Sequence, residues 1–285
     1  MSSRTVASSG GVASTSTVAS ARPGTQPFAH DGGPVGALLC HGFTGSPAAM
    51  RPWAEHLTGV GFSVELPRLP GHGTHWRDMA LTRWPDWYSE IERAFTRLRG
   101  RCDTVVAMGL SMGGTLSTHL AAQQGDELDG LVLVNPSFRS DNRALRALPV
   151  VAHLVPAVKG ITNDIAREGV DELGYDRVPL RALSSLTQLW RVVEDELPQV
   201  TQPVLVFRSV DDRVVEPSSL ELFRRHVGSD DVTVEILTRS RHVATLDHDA
   251  ERIHEHSVAF ARRIAERRTS FVEPGSVARG EQDTR

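Results

Sequence analysis

The stretch Ala107-Met108-Gly109-Leu110-Ser111-Met112-Gly113-Gly114 sets one serine among three glycines directly after the apolar run Thr104-Val105-Val106. A serine among glycines describes many loops, so its meaning depends on what stands on either side. Upstream, Thr104 to Met108 reads as a short buried strand; downstream, Met112 to Gln124 reads as a helix. Strand, tight turn and helix are the context that the pattern G-x-S-x-G requires, and Gly109-Leu110-Ser111-Met112-Gly113 fits it. Such a turn lifts the hydroxyl clear of the sheet at a helix N-terminus. There the unpaired N–H groups and the positive end of the helix dipole favour a developing oxyanion.

Working outward, short apolar runs alternate with helical patterns. Val35 to Cys40 is a strand, and Ser46-Pro47 opens a helix to about Gly59 as N-cap and first-turn residue. Phe62 to Leu66 is a strand. Pro85 to Leu98 is a helix, with Trp87, Ile91, Phe95 and Leu98 on one face. Leu131 to Val134 closes a first βαβαβαβ series. After Asn135 the rhythm stops, and it resumes with a strand at Pro203 to Phe207, a helix at Pro217 to Val227, a strand at Val232 to Leu237 and a helix from Asp249 to Arg268. Continuous β-branched runs joined by helices argue for a parallel sheet covered on both faces.

The expected organisation is a core over residues 27–136 and 198–268, interrupted by an insertion at 137–197 that holds helical fragments and no clear strand. Long insertions of this kind typically cover a site as a cap. The hydrophobic stretch Leu148 to Val158, with Ile161 beyond it, is expected to line an acyl channel. Residues 1–26, rich in Ser, Ala, Thr and Gly without an apolar centre, and residues 269–285 read as disordered tails.

Composition sets the outer bounds. The chain has 285 residues, 40% of them apolar, and a formal charge of −4. That is enough for a sizeable core and offers no electrostatic footprint for nucleic acid. Arg262, Arg263, Arg267 and Arg268 read as a solvated helix face. Cys40 and Cys102 sit in or beside apolar runs and read as buried thiols, not a disulfide. No apolar run reaches the length of a spanning helix. The expectation is a soluble, cytoplasmic chain with no stable membrane anchor, for which a homodimer is left open.

A nucleophilic serine needs a base, and the base needs an orienting carboxylate; after a nucleophile elbow these follow in the order Ser, Asp or Glu, His. The pair Asp211-Asp212 follows the strand at Val204 to Phe207, and His242 follows the strand at Val232 to Leu237. Both loops leave the carboxyl ends of strands, where ligands of open parallel sheets gather. Among the 12 histidines, His242 is the one after the acid pair that directly follows a strand, whereas His226, His248, His254 and His256 read as surface residues. His41 and His72 read as loop braces. The oxyanion needs two donors: the Met112 amide, and an amide of His41-Gly42-Phe43-Thr44-Gly45, of which Phe43 is the best placed.

At this point the motifs resemble a known family. His41-Gly42-Phe43-Thr44-Gly45-Ser46-Pro47, Gly71-His72-Gly73-Thr74, Gly109-Leu110-Ser111-Met112-Gly113-Gly114 and Ser240-Arg241-His242-Val243-Ala244-Thr245-Leu246-Asp247 are similar to those of the bacterial monoacylglycerol lipases and neighbouring carboxylesterases of the α/β-hydrolase superfamily. The likeness covers roughly residues 35–265, cap included. It implies an α/β fold with a mostly parallel central sheet, helices on both faces and a helical cap inserted after the strand ending near Asn135. It implies Ser111 as nucleophile, Asp212 as acid, counted back from Val214-Val215, His242 as base, and Phe43 and Met112 as oxyanion donors. It also implies Glu172 as a contact for glycerol, beside Ile161 on the cap. Glu216 departs from the second proline the family carries there. The implied substrate is a small-molecule ester, including lipid esters, with no metal or organic cofactor. General carboxylesterase, thioesterase and acyltransferase activities share the first chemical steps and stay open at this point.

Overall fold

The computed structural model describes residues 20–272, so the tail expectations for residues 1–19 and 273–285 lie outside the described residues. The chain runs through strands β1 (Phe28–His30) and β2 (Val35–Cys40), a 3₁₀ turn at Pro47–Met50, helix α1 (Arg51–Gly59), strand β3 (Ser63–Leu66), and helices α2 (Trp76–Met79) and α3 (Trp84–Arg99). Next come β4 (Thr104–Leu110), α4 (Met112–Gln124) and β5 (Gly130–Val134). The inserted segment holds a 3₁₀ turn at Arg143–Ala147, α5 (Leu148–Leu154), β6 (Ala157–Lys159), β7 (Arg177–Pro179) and α6 (Leu180–Glu196). The core then resumes with β8 (Val204–Ser209), α7 (Pro217–His226), β9 (Val232–Leu237) and α8 (Ala250–Val272).

Seven strands form one sheet in the order β1-β3-β2-β4-β5-β8-β9. All neighbouring pairs are parallel except β1 with β3, which is antiparallel. Side chains alternate across a strand, and the core divides accordingly. Leu38, Val105, Ala107, Leu131 and Val206 join the residues of α3 and α4, while Leu39, Val106, Met108, Val132 and Phe207 join those of α1 and α8. Each large apolar side chain buried this way contributes about 1.5–3 kcal/mol. Trp53 on α1 and Trp87 on α3 are fully buried, one on each face. α4 is buried from Met112 through Ala121, because the sheet lies beneath it and α3 and α6 flank it.

The chain goes outward from β2 to β3 and returns to β4 on the other side of β2, so β2 and β4 are neighbours whose following loops diverge. That is the crevice where open α/β sheets carry their sites. At the strand ends, before they part, the loop after β2 and the turn after β4 are in contact.

Several features differ from the sequence reading: α8 runs on to Val272, past the expected core end at 268, and His254, expected at the surface, is buried beside Trp53. The ordered chain begins before residue 27: Thr25 is fully buried and its hydroxyl donates to the Gly73 carbonyl at 2.8 Å, and Arg22 donates its amide to the same carbonyl. The inserted segment contains an antiparallel strand pair, β6 with β7, which three-residue strands are too short to announce by periodicity. The expected acyl-channel stretch instead turns outward. Leu148 and Ala152 pack against Leu180, so the opposite face of α5, with Leu154 at 80% exposure, meets solvent.

Candidate active site

Ser111 has φ 54° and ψ −119°, a conformation that L residues rarely adopt. The turn is held by its backbone: the Ser111 amide donates to Val134 O, and Ser111 O accepts from the amides of Gly114 and Thr115. The outer glycines are required by close approach. A Cβ on Gly109 would lie 2.3 Å from Gly113 O, and one on Gly113 would lie 2.0 Å from Cys40 O at the end of β2. The pentapeptide is thus the shape that lets α4 start directly against two strand ends. Met112 is the first residue of α4, so its N–H has no intrahelical acceptor.

Across the crevice, Gly42 packs against Ser111, with room for a Cβ only 3.4 Å from the serine Cβ. His41 braces this loop: its Nδ1–H donates to Gly42 O at 3.0 Å and its Nε2 accepts from the Leu69 amide at 3.2 Å. Complete burial pushes the His41 imidazole down to about 4, so it stays neutral and keeps both bonds. His72 lies behind it at 5.0 Å between ring centroids, also buried, with Nδ1–H on Pro70 O. Phe43 packs edge-on against Trp87, at 5.9 Å between ring centroids, and lines the same cavity as Ser111.

Asp212 and His242 arrive from the loops after β8 and β9. His242 Nδ1 lies 3.0 Å and 3.1 Å from the two oxygens of Asp212, which accept its proton and leave Nε2 as the basic nitrogen. Burial disfavours the Asp212 charge, but the adjacent imidazole, its hydrogen bond and the amides of Val215 and Val214 together hold the carboxyl below its ordinary value. The buried guanidinium of Arg208 adds a 2.7 Å ion pair to Asp212 and donates to Val215 O, closing the acid loop on itself. Asp211, by contrast, points outward and pairs with Arg213 and Arg241.

Two residues that the sequence reading passed over join these loops. Asn135, at the end of β5 with φ 44°, donates to His242 O at 2.8 Å and to Ser209 Oγ, and accepts from the Ser209 amide. Asp164, from the inserted segment, is buried and accepts from the amides of both Arg213 and His242, at 3.1 Å and 3.2 Å. It therefore ties the residue after the acid to the base. An Asn directly before Pro136 at a strand end was a visible signal for the first; nothing local marks Asp164. Asp247, within the quoted His242-to-Asp247 motif, accepts from the amides of Ala166, Arg167, Arg241 and His248 and so pins the insertion to the base loop.

Ser111 and His242 open into one cavity of about 250 Å³, also lined by Phe43, Glu172, Ile161, Leu186 and Trp190. Glu172 Oε1 accepts from the Asn163 amide while the Asn163 side-chain oxygen accepts from the Glu172 amide, and the carboxylate lies beside Gly45. Burial raises the Glu172 carboxyl above its usual value, more than the Asn163 amide and the nearby His242 lower it. Ile161 reaches the cavity from its rim, at 62% exposure. The apolar wall comes from Leu145, Val178, Leu183, Leu186 and Trp190, not from residues 148–158. Glu216 stands at the N-terminus of α7 and accepts from Ser140 Oγ at 3.0 Å, linking acid loop to insertion where a proline could not. Among the described residues no group of His, Cys, Asp and Glu is arranged to hold a metal ion, and no helix is long and apolar enough to cross a membrane.

The serine aminopeptidase S33 family model matches residues 36–249, the core and the insertion together. The chain belongs to that family. It is an α/β-hydrolase. It is 39% identical to the thermostable monoacylglycerol lipase of Bacillus sp. strain H-257 over 238 residues, 83% of this chain and 94% of the relative. It is 24% identical to the carboxylesterase of Bacillus subtilis strain 168 over 84% of this chain and 97% of that one. Among solved structures, one from a study of two metagenome-derived lipolytic enzymes, LipS and LipT, superposes with a TM-score of 0.83 at 39% identity, covering 86% of this chain and all of that one.

Proposed function

We propose that this α/β-hydrolase cleaves carboxylic esters of the monoacylglycerol class through an acyl-enzyme formed on Ser111. The observation that carries the reading is the pairing of His242 Nδ1 with buried Asp212 beside a serine held at a strained turn in the same cavity. His242 Nε2 takes the hydroxyl proton as Ser111 Oγ attacks the ester carbonyl. The amides of Phe43 and Met112 hold the oxyanion, and the imidazolium returns its proton to the departing alcohol. Water then enters by the same route, with His242 again as base, and releases the acid. The 39% identity to a monoacylglycerol lipase over nearly the whole relative supports the substrate class.

Glu172 is the group that separates a glycerol ester from an ester of any alcohol. Its carboxylate lines the cavity next to the oxyanion loop, where the free hydroxyls of a glycerol leaving group come to lie. Losing a hydrogen bond to a charged group costs roughly 1.5–3 kcal/mol. Glu172→Gln keeps an oxygen for the Asn163 amide and should lower kcat/KM on monoacylglycerols about tenfold or more while sparing p-nitrophenyl esters. Equal loss on both substrates, or none on either, would favour a general carboxylesterase.

Asp164 acts one step back from the reaction. Asp164→Ala frees the amides of Arg213 and His242 and lets acid and base loops separate, and a misplacement of about 1 Å can lower the rate about a hundredfold. The loss should fall on kcat with KM little changed, and Asp164→Asn, which retains an acceptor oxygen, should recover most of it. A KM effect alone, or no recovery with Asn, would remove Asp164 from this role.

A further inference from the structure

A second cavity of about 730 Å³ adjoins the one that holds Ser111. The two share a wall made of Arg139, Ser140, Asn142, Leu145 and Trp190. The second chamber is the more basic. Arg143 and Arg146 stand three residues apart on the 3₁₀ turn at Arg143–Ala147, a spacing that puts both guanidiniums on one side of that turn. Opposite them, Thr187, Trp190, Arg191 and Glu194 fall on one face of α6 at three- and four-residue steps. With Arg139, four guanidiniums line the chamber against two carboxylates, Asp141 and Glu194.

The pairing among these charges is incomplete. Arg139 and Asp141 form an ion pair at 3.3 Å, while Arg143, Arg146 and Arg191 have no carboxylate partner among the described residues. At the shared wall, the indole N–H of Trp190 is buried with no acceptor among the described residues. Leu145 and Trp190 line both cavities, and Leu186 and Leu183, one and two turns before Trp190 on α6, line the one that holds Ser111, so an apolar strip runs from the serine's cavity to the shared wall. A reacting serine, an apolar passage and a set of unpaired guanidiniums describe a molecule with an ester at one end and an anion at the other.

We propose that the second chamber binds the anionic terminus of an ester substrate, a carboxylate carried at the far end of the acyl chain. Guanidinium groups take carboxylates in forked, charge-assisted geometry, and the apolar passage accommodates the methylenes between ester and anion. The proposal rests on the ester-hydrolase reading above and narrows it. The guanidiniums are open to solvent, so the preference should be moderate and should weaken with salt.

The test uses the full chain and matched substrates: monomethyl esters of straight-chain dicarboxylic acids from adipate to dodecanedioate, against methyl esters of monocarboxylic acids of equal length. A 1-acylglycerol phosphate, whose anion sits on the alcohol side, forms a separate arm. At low ionic strength the half-esters of the longer diacids should exceed their neutral counterparts about tenfold in kcat/KM, with the difference in KM. The variant R143Q/R146Q/R191Q should abolish that preference and leave neutral esters unchanged, its fold checked by circular dichroism. Should the triple variant not fold, each single Arg→Gln change should reduce the preference by a part. No preference for half-esters, a preference that survives the triple variant or is insensitive to salt, or a preference for the acylglycerol phosphate alone would overturn the proposal. Failure to turn over neutral and charged esters alike would instead fall on the hydrolase reading.

Discussion

Ser111→Ala is expected to lose nearly all ester hydrolysis, on the order of 10⁶ in kcat, while folding as the parent does. The chemical reason is that the acyl chain becomes bonded to the Ser111 oxygen, the one hydroxyl set at the strained strand-to-helix turn, whereas the other hydroxyls that line the cavity, of Thr44, Ser137 and Ser140, lie off that turn. What remains is the catalysis that oxyanion donors and binding give without a nucleophile, about 10³–10⁴ over water. The structural reason is that the fold uses the backbone of Ser111, its amide on Val134 O and its carbonyl under Gly114 and Thr115, and not its hydroxyl. Initial rates on a p-nitrophenyl ester, with a thermal melt alongside, decide the matter. Retention of more than about a tenth of the parent rate would exclude Ser111 as nucleophile.

The next largest effect separates two adjacent carboxylates. Asp212→Asn should lower kcat about 10⁴-fold and Asp211→Asn should leave it within about twofold, because only the first touches the imidazole. The side chain of Asp212 has 0% exposure and meets His242 Nδ1, whereas that of Asp211 is 59% exposed and pairs with Arg213 and Arg241. An amide at position 212 can present its NH₂ to His242 Nδ1. That turns the ring over to the tautomer with its proton on Nε2, where no base is left for the serine. The Asp211 pair lies in solvent and contributes little to stability. A reversal of the two phenotypes would mean that the loop seats its acid one residue earlier than the structure does.

Much of this architecture was legible before any coordinates, and the reason is locality. A strand, a tight turn and a helix are written within the 21 residues from Thr104 to Gln124, and Gly109 and Gly113 are needed because a Cβ at either would strike backbone. The alternation of β-branched runs with amphipathic helices likewise gave the parallel sheet, since a strand covered on both faces is apolar throughout. The short elements were not legible. β1, β6 and β7 have three residues each, too few for a period, and each exists because a distant segment offers it a pairing edge.

The sequence by itself determined the order of the elements, the serine at the turn, and the loops from which an acid and a base would come. All of these follow from residue type at short range. The family likeness had selected Asp212 over Asp211, and tertiary structure supplied the physical reason, because burial against His242 depends on Arg208 and the amides that close that loop. It also decided that the stretch Leu148 to Val158 stays off the cavity, packing Leu148 and Ala152 on Leu180 and turning Leu154 to solvent, while Leu183, Leu186 and Trp190 line it, because an apolar residue on a short helix can turn either way until its neighbours are in place. And it decided that Asp164 and Asn135 join loops 49 to 107 residues apart in the chain, since a hydrogen bond between distant segments leaves no pattern in the residues that make it.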